Sequence, residues 1–272
     1  MAVQYNNFLV HPIIFLNPVR LTVSAWHEHI PFGMWLIDLL KPGIFVELGV
    51  YYGDSYCAFC QAVQELNLMT RCYAVDTWEG DPHAGFYGAE VLADLRRHHE
   101  QMYGRFSRLI QSTFEQALVH FADKTIDLLH IDGTHTYENI KYDFELWLPK
   151  MSNSGVILFH DTNVRERDFG VWRLWDELKS EYPNFEFIHG HGLGVLAVGT
   201  EQPEAFQELL SASEEEIQLI RNLFSQLGKR LGLQSQLQQT QATLTAIESS
   251  KFWKLRRAWV RMKGALGVER DG

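Results

Sequence analysis

The chain has 272 residues, 46% of them hydrophobic and 21% charged, which suits one globular α/β domain with an appendage. Its formal charge of -10 argues against nucleic acid as the main partner, because phosphate binding needs a basic field. Three cysteines are too few for a disulfide framework and suit a reducing compartment.

Residues 1–43 form a lead-in. Its apolar start is broken by Asn6, Asn7, His11, Pro12 and Pro18 and lacks a basic segment, so no signal peptide is expected. No run of eighteen apolar residues occurs, and a cytoplasmic protein is expected. Trp26 to Leu40 reads as a helix stopped by Lys41-Pro42-Gly43. Residues 44–200 then alternate strand-like and helix-like segments. Strands are expected at Ile44–Val50, Arg71–Thr77, Arg108–Ser112, Thr125–Asp132 and Gly155–Asp161. Helices are expected at Tyr56–Leu66, Val91–Tyr103, Phe114–Phe121, Tyr137–Leu148 and Phe169–Tyr182, with a loop over 78–90. Such alternation implies a Rossmann-like, doubly wound, mostly parallel sheet. Phe185–His189 and Gly194–Gly199 are joined by so short a turn that they must form an antiparallel hairpin. Residues 201–250 read as a helical extension, with coiled-coil character near the glutamine-rich Gln234–Gln241, and 251–272 as a basic amphipathic tail.

In an open α/β sheet, ligands bind beyond the carboxyl ends of the strands. The first strand ends in Glu47-x-Gly49-x-x-x-Gly53, a turn that brings backbone close to a ligand. This is not the G-x-G-x-x-G of dinucleotide sites. Asp76 ends the second strand, where an acid can accept hydrogen bonds from both ribose hydroxyls of an adenosine. Glu47, Gly49, Gly53 and Asp76, with Ser112 at the end of the third strand, are the expected cofactor contacts.

The fourth strand delivers Asp132 and His135, and the fifth Asp161 and Asn163. Two carboxylates and a carboxamide are hard oxygen ligands for Mg²⁺ or another divalent cation, which could lower the pKa of a bound hydroxyl. His135 could take the hydroxyl proton. His160, one residue before Asp161, is expected on the opposite face of its strand. His83 sits in the loop after the second strand, which is expected to overhang the cofactor crevice; it could touch substrate, but a solvated loop histidine is the ordinary case. The Cys57/Cys60 pair is expected to pack on a helix, and His27, Glu28 and His29 near a helix start are not read as a metal site.

The segments Phe45-Val46-Glu47-Leu48-Gly49, Asp76-Thr77-Trp78-Glu79-Gly80-Asp81, Ile131-Asp132-Gly133-Thr134-His135 and His160-Asp161 resemble the class I S-adenosylmethionine methyltransferases. The likeness spans roughly residues 25–200. It is nearest to the branch of sugar and macrolide-sugar O-methyltransferases and cephalosporin hydroxylase-like proteins. It implies S-adenosylmethionine as cofactor, Asp132 as a Mg²⁺ ligand, His135 as base and a small-molecule or saccharide acceptor. That branch often carries two consecutive acids where this chain has His160-Asp161, so Asn163 is taken as the third ligand. Two rivals remain: a hydroxylase-like enzyme on the same scaffold, and a regulatory cofactor-binding module in glycan assembly.

The segment Ser249–Arg257 resembles terminal segments of glycan-modifying enzymes. Between 251 and 263 six cations alternate with apolar residues and no acid intervenes. Such a helix can lie on an anionic membrane surface, which would place the protein at the periphery of the inner membrane. It could instead dock as a partner helix on an acidic body, or be a solvated, frayed terminus; separately, a homo-oligomer is left open.

Overall fold

The computed structural model describes residues 11–22 and 24–265. The chain divides into two compact units, residues 1–229 and 230–272.

Unit one is built on a seven-stranded sheet. Its strands are β1 (Ile44–Leu48), β2 (Arg71–Asp76), β5 (Ser107–Gln111), β6 (Ile126–Ile131), β7 (Met151–His160), β8 (Asn184–Phe187) and β9 (Leu193–Ala197), in the order β5-β2-β1-β6-β7-β9-β8. The first five pair in parallel, while β9 runs antiparallel to both β7 and β8. The expected closing hairpin is present, and its second strand inserts between β7 and β8. The 78–90 loop holds a small hairpin, β3 (Gly80–Asp81) with β4 (Gly85–Phe86).

Both faces of the sheet are covered, so its central strands are mostly apolar, with Glu47 of β1 and His130 of β6 buried among the apolar side chains. Alternation decides which side chain meets which layer. On β1, Phe45 packs on Tyr56 and Phe59 of helix α2 (Asp54–Glu65). Val46 and Leu48 turn the other way. They enter a core with Phe144 and Trp147 of α5 (Tyr137–Trp147) and Leu174 and Trp175 of α6 (Val171–Leu178). Helix α1 (Ile30–Leu40) lies beside α2, and α3 (Ala89–Met102) follows the small hairpin. The short α4 (Phe114–Ala117) lies beside α5.

The helix expected from Trp26 begins as a 3₁₀ turn, Ala25–His29, because Pro31 supplies a proper first turn only for α1. After β9 come α7 (Glu204–Leu210) and α8 (Glu214–Ser249). Ser213 and Glu216 form a reciprocal cap at the start of α8. Within unit one, Phe224 of α8 packs on Phe32, Trp35 and Phe187. Unit two holds the rest of α8 and α9 (Lys251–Ala265). No helix among the described residues is long and apolar enough to cross a membrane.

Register sets the site. Val75 pairs with Leu48, Leu48 with Ile131, and Ile131 with Phe159. The next residue on each strand, Asp76, Gly49, Asp132 and His160, therefore emerges at one level on the carboxyl edge.

Candidate active site

A cavity of about 630 Å³ opens at that edge and is lined by residues from 24 to 191 of unit one. One end is made by the turn after β1. Gly49 has φ +83°, and a Cβ there would lie 2.0 Å from the Asp132 carbonyl oxygen, so only glycine fits. Gly53, at φ +79°, begins α2, and a Cβ would lie 2.6 Å from Leu95 Cδ1.

Asp76 holds this turn. Its Oδ2 accepts from the N–H groups of Val50 (2.7 Å) and Tyr51 (3.0 Å), and Oδ1 from that of Trp78 (2.7 Å). A carboxylate offers about four acceptor sites, so one remains for a ligand in place of the pair expected from sequence. Tyr51, Tyr52 and Tyr87 form an aromatic wall beside it, with centroids of Tyr51 at 4.6 and 4.9 Å from the other two.

Glu47 does not line the cavity. Strand parity sends it toward α2, where Ser55 Oγ donates to its Oε1 at 2.7 Å and His130 Nδ1 lies 3.1 Å from its Oε2. His130 Nε2 in turn takes the indole N–H of Trp26 at 3.2 Å. Burial raises the Glu47 pKa, against the pull of His130 and Ser55. The ligand-facing members of this chain are Ser55 and Trp26. Ser112 also lies outside the lining: its hydroxyl donates to the Thr113 carbonyl, and Thr113 and Phe114 face the cavity.

The other end is a cluster of acids and histidines. His135 Nε2 stands 2.9 Å from Asp161 Oδ2 and 3.4 Å from Asp132 Oδ1. His160 Nδ1 is 3.4 Å from an oxygen of each acid, and His191 Nδ1 is 3.1 Å from Asp161 Oδ1. The expectation that His160 faces away is overturned. Strand β7 ends at His160, and Asp161 takes the left-handed conformation at φ +63°. Alternation stops there, and both side chains reach one place. Asn163 is turned out of the cluster: its amide donates to the Ile188 carbonyl, and its backbone N–H to that of His191.

Burial opposes charge on His135, but Asp132 and Asp161 outweigh it and push its pKa up to about 9. His160 is raised for the same reason against stronger burial. Both aspartates are held well below the carboxylate range, because the histidines overcome the opposing effect of desolvation. One ligand atom from each of Asp132, His135 and Asp161 can lie within 4.8 Å of the others. The two carboxylates fit a hard divalent cation, and the imidazole suits a borderline one such as Zn²⁺ or Fe²⁺.

His83 is also placed otherwise than expected. Its side chain is only 4% exposed, lies with Nε2 2.7 Å from Asp168 Oδ1, and is set edge-on to His135 and Phe169. Phe169 stacks on His135 with centroids 4.8 Å apart. His27 pairs with Asp54, and His29 with the Gly190 carbonyl, so the two serve different partners. Cys57 and Cys60 are buried in α2, and burial raises both thiols well above their usual pKa.

Residues 46–162 match the family model described as a methyltransferase domain. That segment runs from β1 to just past Asp161. A relative in Sinorhizobium fredii, the uncharacterized protein y4gI, is 53% identical over 186 residues, which is 68% of this chain and 20% of the relative. The chain therefore spans about a fifth of that relative's length. A Staphylococcus aureus crystal structure assigned as a caffeoyl-CoA O-methyltransferase superposes with a TM-score of 0.50 at 14% identity, covering 66% of this chain and 86% of that one. The S-adenosylhomocysteine-bound methyltransferase PaMTH1 of Podospora anserina gives 0.47 at 14% identity, over 62% and 77%. Sheet order, closing hairpin and site position define the class I methyltransferase fold.

Proposed function

We propose that this domain transfers a methyl group from S-adenosylmethionine to a hydroxyl oxygen of an uncharged, polyhydroxylated acceptor such as a sugar. The observation that carries this reading is the Asp132–His135–Asp161 cluster in the wall of the same cavity as the Gly49–Gly53 turn. The turn and Asp76 suit an adenosine-bearing cofactor. The cluster suits an oxygen nucleophile. In the transfer the acceptor oxygen bonds to the methyl carbon, the carbon–sulfur bond breaks, and the sulfonium becomes a neutral thioether. The hydroxyl proton must leave. Holding the oxygen in line with the methyl supplies much of the rate.

Asp132 and Asp161 are the residues that would hold Mg²⁺ or a similar cation, with His135 as third donor or as base. Such a cation supplies Lewis acidity that lowers the hydroxyl pKa. Between two free carboxylates His135 keeps its proton at neutral pH. Once those carboxylates have another positive partner, the imidazole can act as base. His83 and Phe169 fix the plane of that ring.

A sugar is favoured by the lining. Among the described residues that form it there is no lysine or arginine, while aspartates and aromatic rings abound. Hydroxyls can donate to the acids, and a sugar face can lie on Tyr51, Tyr52 or Tyr87. The test is transfer of labelled methyl from S-adenosylmethionine to a panel of mono- and disaccharides, with and without EDTA. Saccharide labelling that EDTA abolishes is expected. Labelling indifferent to EDTA would remove the metal, and labelling confined to charged acceptors would remove the sugar.

A further inference from the structure

Helix α9 has no role in the reading above, and its surface is unlike that of unit one. Phe252, Leu255, Trp259 and Met262 recur at spacings of three, four and three, which puts them on one face at 3.6 residues per turn. They are 77, 70, 52 and 58% exposed. Lys254 and Arg257 are exposed on the opposite side, and Arg256 stacks over Trp253 at 4.9 Å. The six cations between 251 and 263 stand with no acid among them, which leaves -16 on the remainder of a chain of net -10. We propose that α9 is an anchor for an anionic lipid surface, lying in the headgroup plane with its Phe252–Met262 face toward the acyl chains.

The chemistry of the helix separates this occupant from others. A coiled-coil seam uses aliphatic residues flanked by charges of both signs. Here the face holds two aromatic rings and the flanks carry one sign, so a second copy would meet like charge. Nucleic acid would use the cations and leave the apolar face in water. An anionic bilayer uses both, since apolar side chains enter the boundary region while cations meet headgroups. Attraction per Lys or Arg amounts to about fivefold in affinity, and salt weakens it.

The test is co-sedimentation of the full chain with phosphatidylcholine vesicles, with and without phosphatidylserine. The intact chain is expected to bind the phosphatidylserine vesicles at least about tenfold better, and to be released by high salt. Lys254→Glu with Arg257→Glu should weaken binding on the order of a hundredfold. Leu255→Glu should weaken it comparably by charging the apolar face. Melting of the methyltransferase domain should be unchanged in every variant, which separates lost binding from lost folding. The proposal is overturned if the intact chain ignores anionic vesicles, if both variants bind as well as it does, or if it binds duplex DNA but not lipid. Self-association abolished by Leu255→Glu, without vesicle binding, would equally overturn it. Saccharide methylation does not enter any of these readouts.

Discussion

The two ends of the cavity are built on different principles. The end at β1 and β2 is made of backbone: Gly49, Val50 and Tyr51 are held by one carboxylate, Asp76, whose acceptors are nearly all used. The end at β6 and β7 is made of charge. Asp161 lies within ion-pair distance of His135, His160 and His191, and Asp132 within that of His135 and His160. The first end is preorganised for shape and needs nothing added. The second has ligands to spare. A site that must bind one molecule tightly and act chemically on another can divide the work this way, because hydrogen bonds made in advance lower the cost of binding.

The comparison can be broken at either end. The largest effect is expected from Asp132→Ala combined with His135→Ala. Turnover should fall by at least about a thousandfold, while affinity for S-adenosylhomocysteine changes by less than about threefold. Parallel kinetics and calorimetry check this, and a loss of both together would mean the ends are not separate. Gly49→Ala should act at the other end. A Cβ 2.0 Å from the Asp132 carbonyl, at φ +83°, should cost at least about 3 kcal/mol of stability in urea titration and weaken cofactor binding. Asp76→Asn keeps the shape but turns an amide toward backbone N–H groups that need an acceptor. A loss of about 2 kcal/mol of stability is expected, with cofactor affinity down on the order of tenfold.

The smallest effect lies away from both ends and serves as a control. Asp143 in α5 is buried, and burial pushes its carboxyl up to about 7 from an ordinary 3.8. The folded form holds this proton more tightly than the unfolded one, so the group favours folding at low pH. That advantage fades as pH rises from 3.8 through about 7, above which the buried charge is a burden. Asp143→Asn should therefore melt about 3 °C above the wild type at pH 8 and level with it near pH 4, without change in turnover.

Much of the fold was legible because burial on both faces leaves its mark as apolar runs, as at Ile44–Leu48 and Ile126–Ile131. The carboxyl edge was legible too, since Asp76, Gly49, Asp132 and His160 follow the apolar segments at one level. What failed was the direction of individual side chains at strand ends. Glu47 looked like a ligand contact beside Gly49, yet parity with Phe45 faces it to α2. That signal was present in the sequence. His160 was misplaced because alternation was carried to Asp161, and a single left-handed residue resets it, while Asn163, taken from the resemblance, bonds to the Ile188 carbonyl instead. Nothing local announces a positive φ at an aspartate. His83 and His191 reach the site through contacts with Asp168 and Asp161, 85 and 30 residues away, which periodicity does not encode. Tyr51 and Tyr52 are neighbours in the chain, but Tyr87 joins them only through the small hairpin, which local sequence does not encode.

The central claim is that the Gly49–Asp76 end accepts the adenosine of a methyl donor. Titration calorimetry of the full chain with S-adenosylmethionine, S-adenosylhomocysteine and NAD, each with and without Mg²⁺, tests it most directly. Binding of both sulfur-bearing ligands, with NAD inert, is the predicted result. Tight binding of NAD alone would contradict the account.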